Sequence, residues 1–112
     1  MLTMSKSSII TEGDQIPLET VGKILRHEFL DPMGITAYRL AVSIGKPVSY
    51  IAKILNGGGV SPEMGLLLDR FFGLSSGFFS RLQADYDSRL AFDRIREALD
   101  KVKTVSELHA TA

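Results

Sequence analysis

The sequence predicts an all-α protein: a five-helix domain followed by an extended C-terminal helix. Apolar residues recur at three- and four-residue spacing in successive blocks. Clusters of Gly and Pro punctuate those blocks. No segment shows the alternation of a half-buried strand, and there is no internal repeat or low-complexity tract.

Residues 1–17 are polar, lack helical periodicity and read as a mobile N-terminal arm. The segment from Thr20 to Leu30, TVGKILRHEFL, reads as the first helix, with Val21, Ile24, Leu25, Glu28 and Phe29 at its periodic positions. Asp31-Pro32-Met33-Gly34 is expected to end it, because proline disfavours helix in the residue before it. The second and third helices lie within residues 36–56, TAYRLAVSIGKPVSYIAKILN, whose apolar residues Leu40, Ala41, Ile44, Ile51, Ile54 and Leu55 define two short amphipathic faces. Gly45-Lys46-Pro47 between them is too short for anything but a tight bend. Two helices joined by a glycine-containing turn of about 3–4 residues form a helix-turn-helix, whose second helix can enter the DNA major groove. Thr36 suits the N-cap, Ala41 is small where two helices must approach, and Gly45 supplies the positive φ of a helix end. Pro47 falls near the first turn of the next helix, where a missing N–H costs nothing. A plain helical hairpin would show the same periodicity.

Asn56-Gly57-Gly58-Gly59 stops the third helix. Ser61-Pro62-Glu63 opens the fourth with an N-cap, a proline at the first helical position and an acid in the first turn. Its apolar face is Met64, Leu67, Leu68, Phe71 and Phe72, and Gly73 closes it. Ser75 is expected to cap the fifth helix, with Phe78, Phe79, Leu82, Tyr86 and Leu90 facing inward. The helix-turn-helix domain thus spans residues 18–91, and residues 92–112 form a helical extension. In the extension Phe92, Ile95, Leu99 and Val102 recur at 3-4-3 spacing, like a short coiled-coil seam. That stripe reads as a homodimer interface, the other possibility being that it folds back on its own domain.

With 112 residues, 45% of them hydrophobic and 23% charged, the chain is of the size and composition of one soluble globular domain. It has no cysteine, which excludes disulfides and thiolate metal sites and suits a cytoplasmic location. No apolar run approaches the ~18–20 residues of a membrane span, and the N-terminus lacks the apolar core of a signal peptide. Net charge is zero, from 13 basic and 13 acidic residues, which argues against a strong electrostatic grip on nucleic acid. The distribution is less even. Between residues 23 and 53, Lys23, Arg26, Arg39, Lys46 and Lys53 face only Glu28 and Asp31. Any phosphate-facing charge is therefore local, and its salt dependence small for one subunit.

Catalytic and metal chemistry finds no support. His27-Glu28 lacks the second histidine of a helical zinc site, and His109 lies near the C-terminus. Asp85, Asp87 and Asp93 sit close to Arg81, Arg89 and Arg94 at or near helical i±4 spacing, which suits solvated ion pairs. Gly57-Gly58-Gly59 follows a helix instead of opening one, so it is no phosphate-cradling loop. No enzyme activity and no cofactor are expected.

Five helices with the motif in second and third place resemble the lambda-repressor-like domain. Three longer words, GKILRHEFLDPMGITAYRLA, IAKILNG and VSPEMGLLLDRFFGLSSGFFSRLQADYDSRLA, resemble the HigA-type antitoxins of bacterial toxin–antitoxin modules. The resemblance runs from about Thr20 to Phe92, and the first-helix words with Gln83, Tyr86-Asp87 and Arg89 are its most specific part. It implies a homodimeric repressor that binds a palindrome in its own promoter and neutralises a small ribonuclease toxin, HigB, encoded beside it. This chain departs from the family pattern at Tyr50, where a polar residue is common, and at Lys53, where arginine is common. Gly58-Gly59 replaces a longer basic loop, which implies fewer phosphate contacts.

The resemblance places Val48, Ser49 and Lys53 on the base-reading face of the third helix, with Tyr50 flanking. Lys53 can donate to guanine, Ser49 can donate or accept, and Val48 offers methyls to a thymine methyl. Each also has a plain structural reading: Val48 as a turn filler, Ser49 as a first-turn residue, Lys53 as a solvated lysine. Thr36 and Ala37 begin the second helix, whose free N–H groups are expected to abut a phosphate, with Arg39 and Lys46 on its flanks. Arg39 could equally pair with Glu28, and Asn56 could cap the third helix or touch a phosphate. Two other functions stay open: a stand-alone transcriptional regulator of the same fold, and a protein-interaction module that has lost DNA binding.

Overall fold

The computed structural model describes residues 18–110, and every regular element among them is helical. Helix α1 opens as expected, with the Thr20 hydroxyl accepting the Lys23 N–H at 3.2 Å. It does not stop at Leu30. A first α-turn, Val21–Ile24, passes into a π-helical stretch, Leu25–Leu30, and a last α-turn, Asp31–Met33, ends at Gly34. The helix thus ends within Asp31–Gly34 as expected, but after Pro32 instead of before it, and the π-helical stretch supplies the reason. In an α-helix the ring of Pro32 would collide with the carbonyl four residues back, at Glu28. The π-turn shifts each partner by one residue, so that the Asp31 N–H reaches the Arg26 carbonyl, and the wider turn gives the ring room. The same widening brings Leu25 and Leu30, five residues apart, onto one buried face, while Glu28, expected to face inward, is exposed.

Helices α2 (Ala37–Ile44), α3 (Val48–Leu55), α4 (Pro62–Phe72) and α5 (Phe78–Arg94) complete the five-helix domain. Each helix sends one side chain fully out of water: Leu25, Leu40, Ile51, Leu68 and Phe79 are all 0% exposed. Burial of each such side chain contributes about 1.5–3 kcal/mol, which makes this shared core the main source of stability. Beside it the rings of Phe29, Phe72, Phe78 and Phe79 lie 4.9–6.2 Å apart in tilted and edge-on contacts, tying the end of α1 to α4 and α5. Where α1 crosses α3, buried Gly22 lies against the Ile54 carbonyl: a Cβ there would fall 2.0 Å from that oxygen.

Ser61 and Pro62 start α4 as expected, the serine hydroxyl accepting the Met64 N–H at 3.2 Å. The start of α5 differs. Ser75 lies two residues before the N-cap, Gly77, and the side-chain cap comes from the buried carboxylate of Asp69 on α4, which accepts the Gly77 N–H at 2.7 Å and the Phe79 N–H at 3.1 Å. The last residues of α5 run past the core, so Leu90, expected inward, is exposed. The extension is not one continuous helix. It breaks at Ile95 (φ −111°, ψ 24°), resumes as α6 (Arg96–Lys101), becomes extended at Val102 and ends in α7 (Val105–Ala110). Neither α6 nor α7 has a buried residue. The arm expected over residues 1–17 lies outside the described residues.

Candidate nucleic-acid interface

The face opposite the core on α2 and α3 is built by two short-range devices and one close approach. Thr36 caps α2, its hydroxyl accepting the Arg39 N–H at 3.0 Å. At the other end Gly45 adopts φ 74°, and the N–H groups of Gly45 and Lys46 return to the carbonyls of Val42 and Ala41. This closing motif needs a left-handed residue, which only glycine takes without strain, and it lets the chain reverse within three residues. Pro47 follows in extended conformation as the N-cap of α3, one position ahead of the first turn. Ala41, 2% exposed, then allows the two helices to lie close over Leu40, Ile51 and Ile54.

Thr36, Arg39, Val48, Ser49, Tyr50, Lys53 and Asn56 are exposed on the outer side, and Ala37 and Lys46 are half-buried. Two pairs of backbone N–H groups have no acceptor among the described residues: those of Ala37 and Tyr38 at the start of α2, and of Val48 and Ser49 at the start of α3. Such paired donors at a helix N-terminus favour an anion. No acidic residue occurs between Asp31 and Glu63, so Arg39, Lys46 and Lys53 set the sign of the surface.

Lys46 and Tyr50 are not independent. The ammonium of Lys46 stands 5.7 Å from the centre of the Tyr50 ring, a contact of about 0.5–1 kcal/mol at an exposed site. Arg39 makes no ion pair with Glu28, and it has no ion-pair partner among the described residues. Asn56 is the C-cap of α3, its N–H bonded to the Ala52 carbonyl at 3.0 Å, and its side chain is left to solvent. Lys53 packs against the following loop: its carbonyl accepts the Gly58 N–H at 2.8 Å, and a Cβ at Gly58 would lie 2.8 Å from Lys53 Cγ. The bare loop is therefore a condition for the way the lysine stem lies.

Two residues escape a reading of the sequence alone. Arg26 lines an open hollow between the end of α1 and the start of α2, together with Asp31, Thr36 and Ala37. Tyr38 projects from the first turn of α2 and is 69% exposed. Arg26 is visible in the charge pattern, but only the fold brings it beside Thr36. At the far end of the molecule Phe92, Ile95, Leu99 and Val102 are all exposed, with the Arg96 guanidinium 5.2 Å from the Phe92 ring and 2.6 Å from Asp93. Asp85 pairs with Arg89 at 3.5 Å, whereas Asp87 accepts the Gln83 amide instead of an arginine. No group of three or more His, Asp or Glu able to hold a metal ion occurs among the described residues, and no helix among them is long and apolar enough to cross a membrane.

The helix-turn-helix family matches residues 27–79. Virulence-associated protein I of Dichelobacter nodosus is 33% identical over 85 residues, 75% of this chain and 79% of that protein. Antitoxin HigA-1 of Vibrio cholerae serotype O1 is 31% identical over 84 residues, 75% of this chain and 80% of its own length. The chain belongs to the HigA-type antitoxin family. This is a family of DNA-binding helix-turn-helix proteins and not of enzymes. Among solved HigA-type structures, the Pseudomonas aeruginosa antitoxin HigA with the higBA promoter superimposes with a TM-score of 0.73 at 25% identity, covering 80% of this chain and 99% of that one. Antitoxin GraA in complex with its operator gives 0.71 at 32% identity, covering 80% and 93%.

Proposed function

We propose that this chain is a sequence-specific DNA-binding antitoxin that represses its own promoter as a homodimer and neutralises a HigB-like ribonuclease toxin in the cytoplasm. The observation that carries the DNA reading is the acid-free stretch of α2 and α3, which carries Arg39, Lys46 and Lys53 and four N–H groups with no acceptor among the described residues. The amides of Ala37 and Tyr38, with Arg39 and Arg26, hold phosphates and set the orientation of the domain. Val48, Ser49 and Lys53 then read base edges in the major groove, and Tyr50 and Asn56 flank them. Relatives solved with a promoter and in complex with an operator support DNA binding as such.

One such face covers a half-site, so a palindrome requires two, about 34–36 Å apart along the duplex. The exposed seam of Phe92, Ile95, Leu99 and Val102 supplies the second copy in this reading. A duplex from the region upstream of the gene tests it: wild type should shift it, and Lys53→Glu should abolish the shift with unchanged helicity and oligomeric state. Wild type that leaves that duplex unshifted would sink the repressor role. Co-expression with a small ribonuclease encoded next to the gene should restore growth, and continued toxicity would leave the stand-alone regulator as the better reading.

A further inference from the structure

The family-specific residue Gln83 does not face the DNA side and is not part of the seam, yet it is bonded in two directions. Its Oε1 accepts the Val60 N–H at 2.9 Å, and its Nε2 donates to the Asp87 carboxylate at 3.0 Å. The same amide group lies over Gly59, where a Cβ would come within 3.7 Å of both Oε1 and Nε2. Val60 is itself buried, at 6% exposure. The four residues 57–60 connect this clamp to the base-reading helix: the Gly57 N–H is bonded to the Ile54 carbonyl at 3.0 Å and the Gly58 N–H to that of Lys53 at 2.8 Å.

We propose that Gln83 is a positioning residue for DNA reading: it fixes the loop of residues 57–60 to α5 and thereby sets the C-terminal end of α3, and Lys53 with it, at one height on the domain. The chemistry of the pair explains why glutamine serves there. Asp87 is an acceptor only, so it holds the amide nitrogen toward itself and leaves the amide oxygen for the Val60 N–H. A glutamate at position 83 could still accept from Val60 but would set its carboxylate against Asp87. A leucine would fill the space and leave the Val60 N–H without a partner. This inference rests on the DNA reading above, but the clamp can be measured without DNA.

The experiment compares Gln83→Leu, Gln83→Glu and the pair Gln83→Glu/Asp87→Asn, in which an asparagine amide donates to a glutamate and restores the bond with its polarity exchanged. Affinity is measured for the upstream duplex and for a random duplex of the same length, and amide exchange is followed at Gly58 and Val60. Gln83→Leu is expected to lose about tenfold in operator affinity, the size of one hydrogen bond in binding, with the random duplex bound as before because no phosphate-facing charge has changed. Gln83→Glu should lose at least as much, the pair should regain most of it, and exchange at Val60 should quicken and slow in step. Should Gln83→Leu not fold, Gln83→Glu against the pair makes the same distinction. The proposal is overturned if a folded Gln83→Leu binds the operator like wild type, if both duplexes weaken in proportion, or if the pair is no better than Gln83→Glu. If wild type binds no operator, the DNA reading falls by itself; exchange at Val60 that is unchanged by Gln83→Leu then overturns the clamp, and exchange that quickens and is restored in the pair upholds it.

Discussion

Both ends of this molecule show apolar side chains to water, but they are mounted differently. On α2 and α3 the exposed Val48 and Tyr50 stand on helices whose opposite faces, Leu40 and Ile51, are wholly buried. In the extension, Phe92, Ile95, Leu99, Val102, Val105 and Leu108 are exposed on segments with nothing buried behind them. The first surface has its geometry fixed by the core behind it, which suits the proposed base reading, since donors and acceptors on base edges must be met within ångströms. The second has no buried residue of its own in α6 or α7 to hold it. In the proposed function the surface that reads is built on a core, and the surface that joins is left for the second copy to complete.

Substitutions at three places test that contrast, in decreasing order of effect. Gly22→Val should cost about 3 kcal/mol or more, because the added side chain strikes the Ile54 carbonyl and must push α1 off α3. Thermal denaturation should show the loss, and a melting temperature near wild type would mean that the α1–α3 contact is not the rigid support described. Asp69→Ala should cost about 2–3 kcal/mol, since it leaves the Gly77 and Phe79 N–H groups without their charged acceptor. Asp69→Asn, which keeps one acceptor oxygen, should fall between that variant and wild type. Phe92→Asp with Leu99→Asp should leave the melting temperature of the monomer almost unmoved, as neither side chain is in the core, while sedimentation shows dimers lost. Dimers that persist would displace the seam, and a large thermal loss would place those residues in the fold instead.

What the sequence discloses follows the range of each interaction. The caps at Thr20, Thr36 and Ser61 act over three residues, so they can be found from local pattern, as can the left-handed end at Gly45. Pro32 misleads because its tolerance depends on a π-turn, which has no local signature and answers a steric problem created by the rest of α1. Local pattern assigns the cap of α5 to Ser75, because a serine near a helix start is a good candidate, whereas Asp69 acts across ten residues and only after α4 and α5 have met. Leu90 keeps the period of an inward residue, but α5 outlasts the core it would pack on. On α3, the outward position of Val48, Ser49, Tyr50 and Lys53 can be placed once the two helices are recognised. Arg26 beside Thr36, and Gln83 holding Val60 from 23 residues away, become visible only in the folded chain.

The Asp69 cap also bears on the order in which the chain assembles. Helix formation is limited by its first turn, and an isolated short helix is marginal in water. The first turn of α5 takes its acceptor from the last turns of α4, so the two helices should condense as one cooperative unit instead of forming separately. On that basis loss of Asp69 should slow refolding more than it hastens unfolding, whereas the exposed extension should form late and open first.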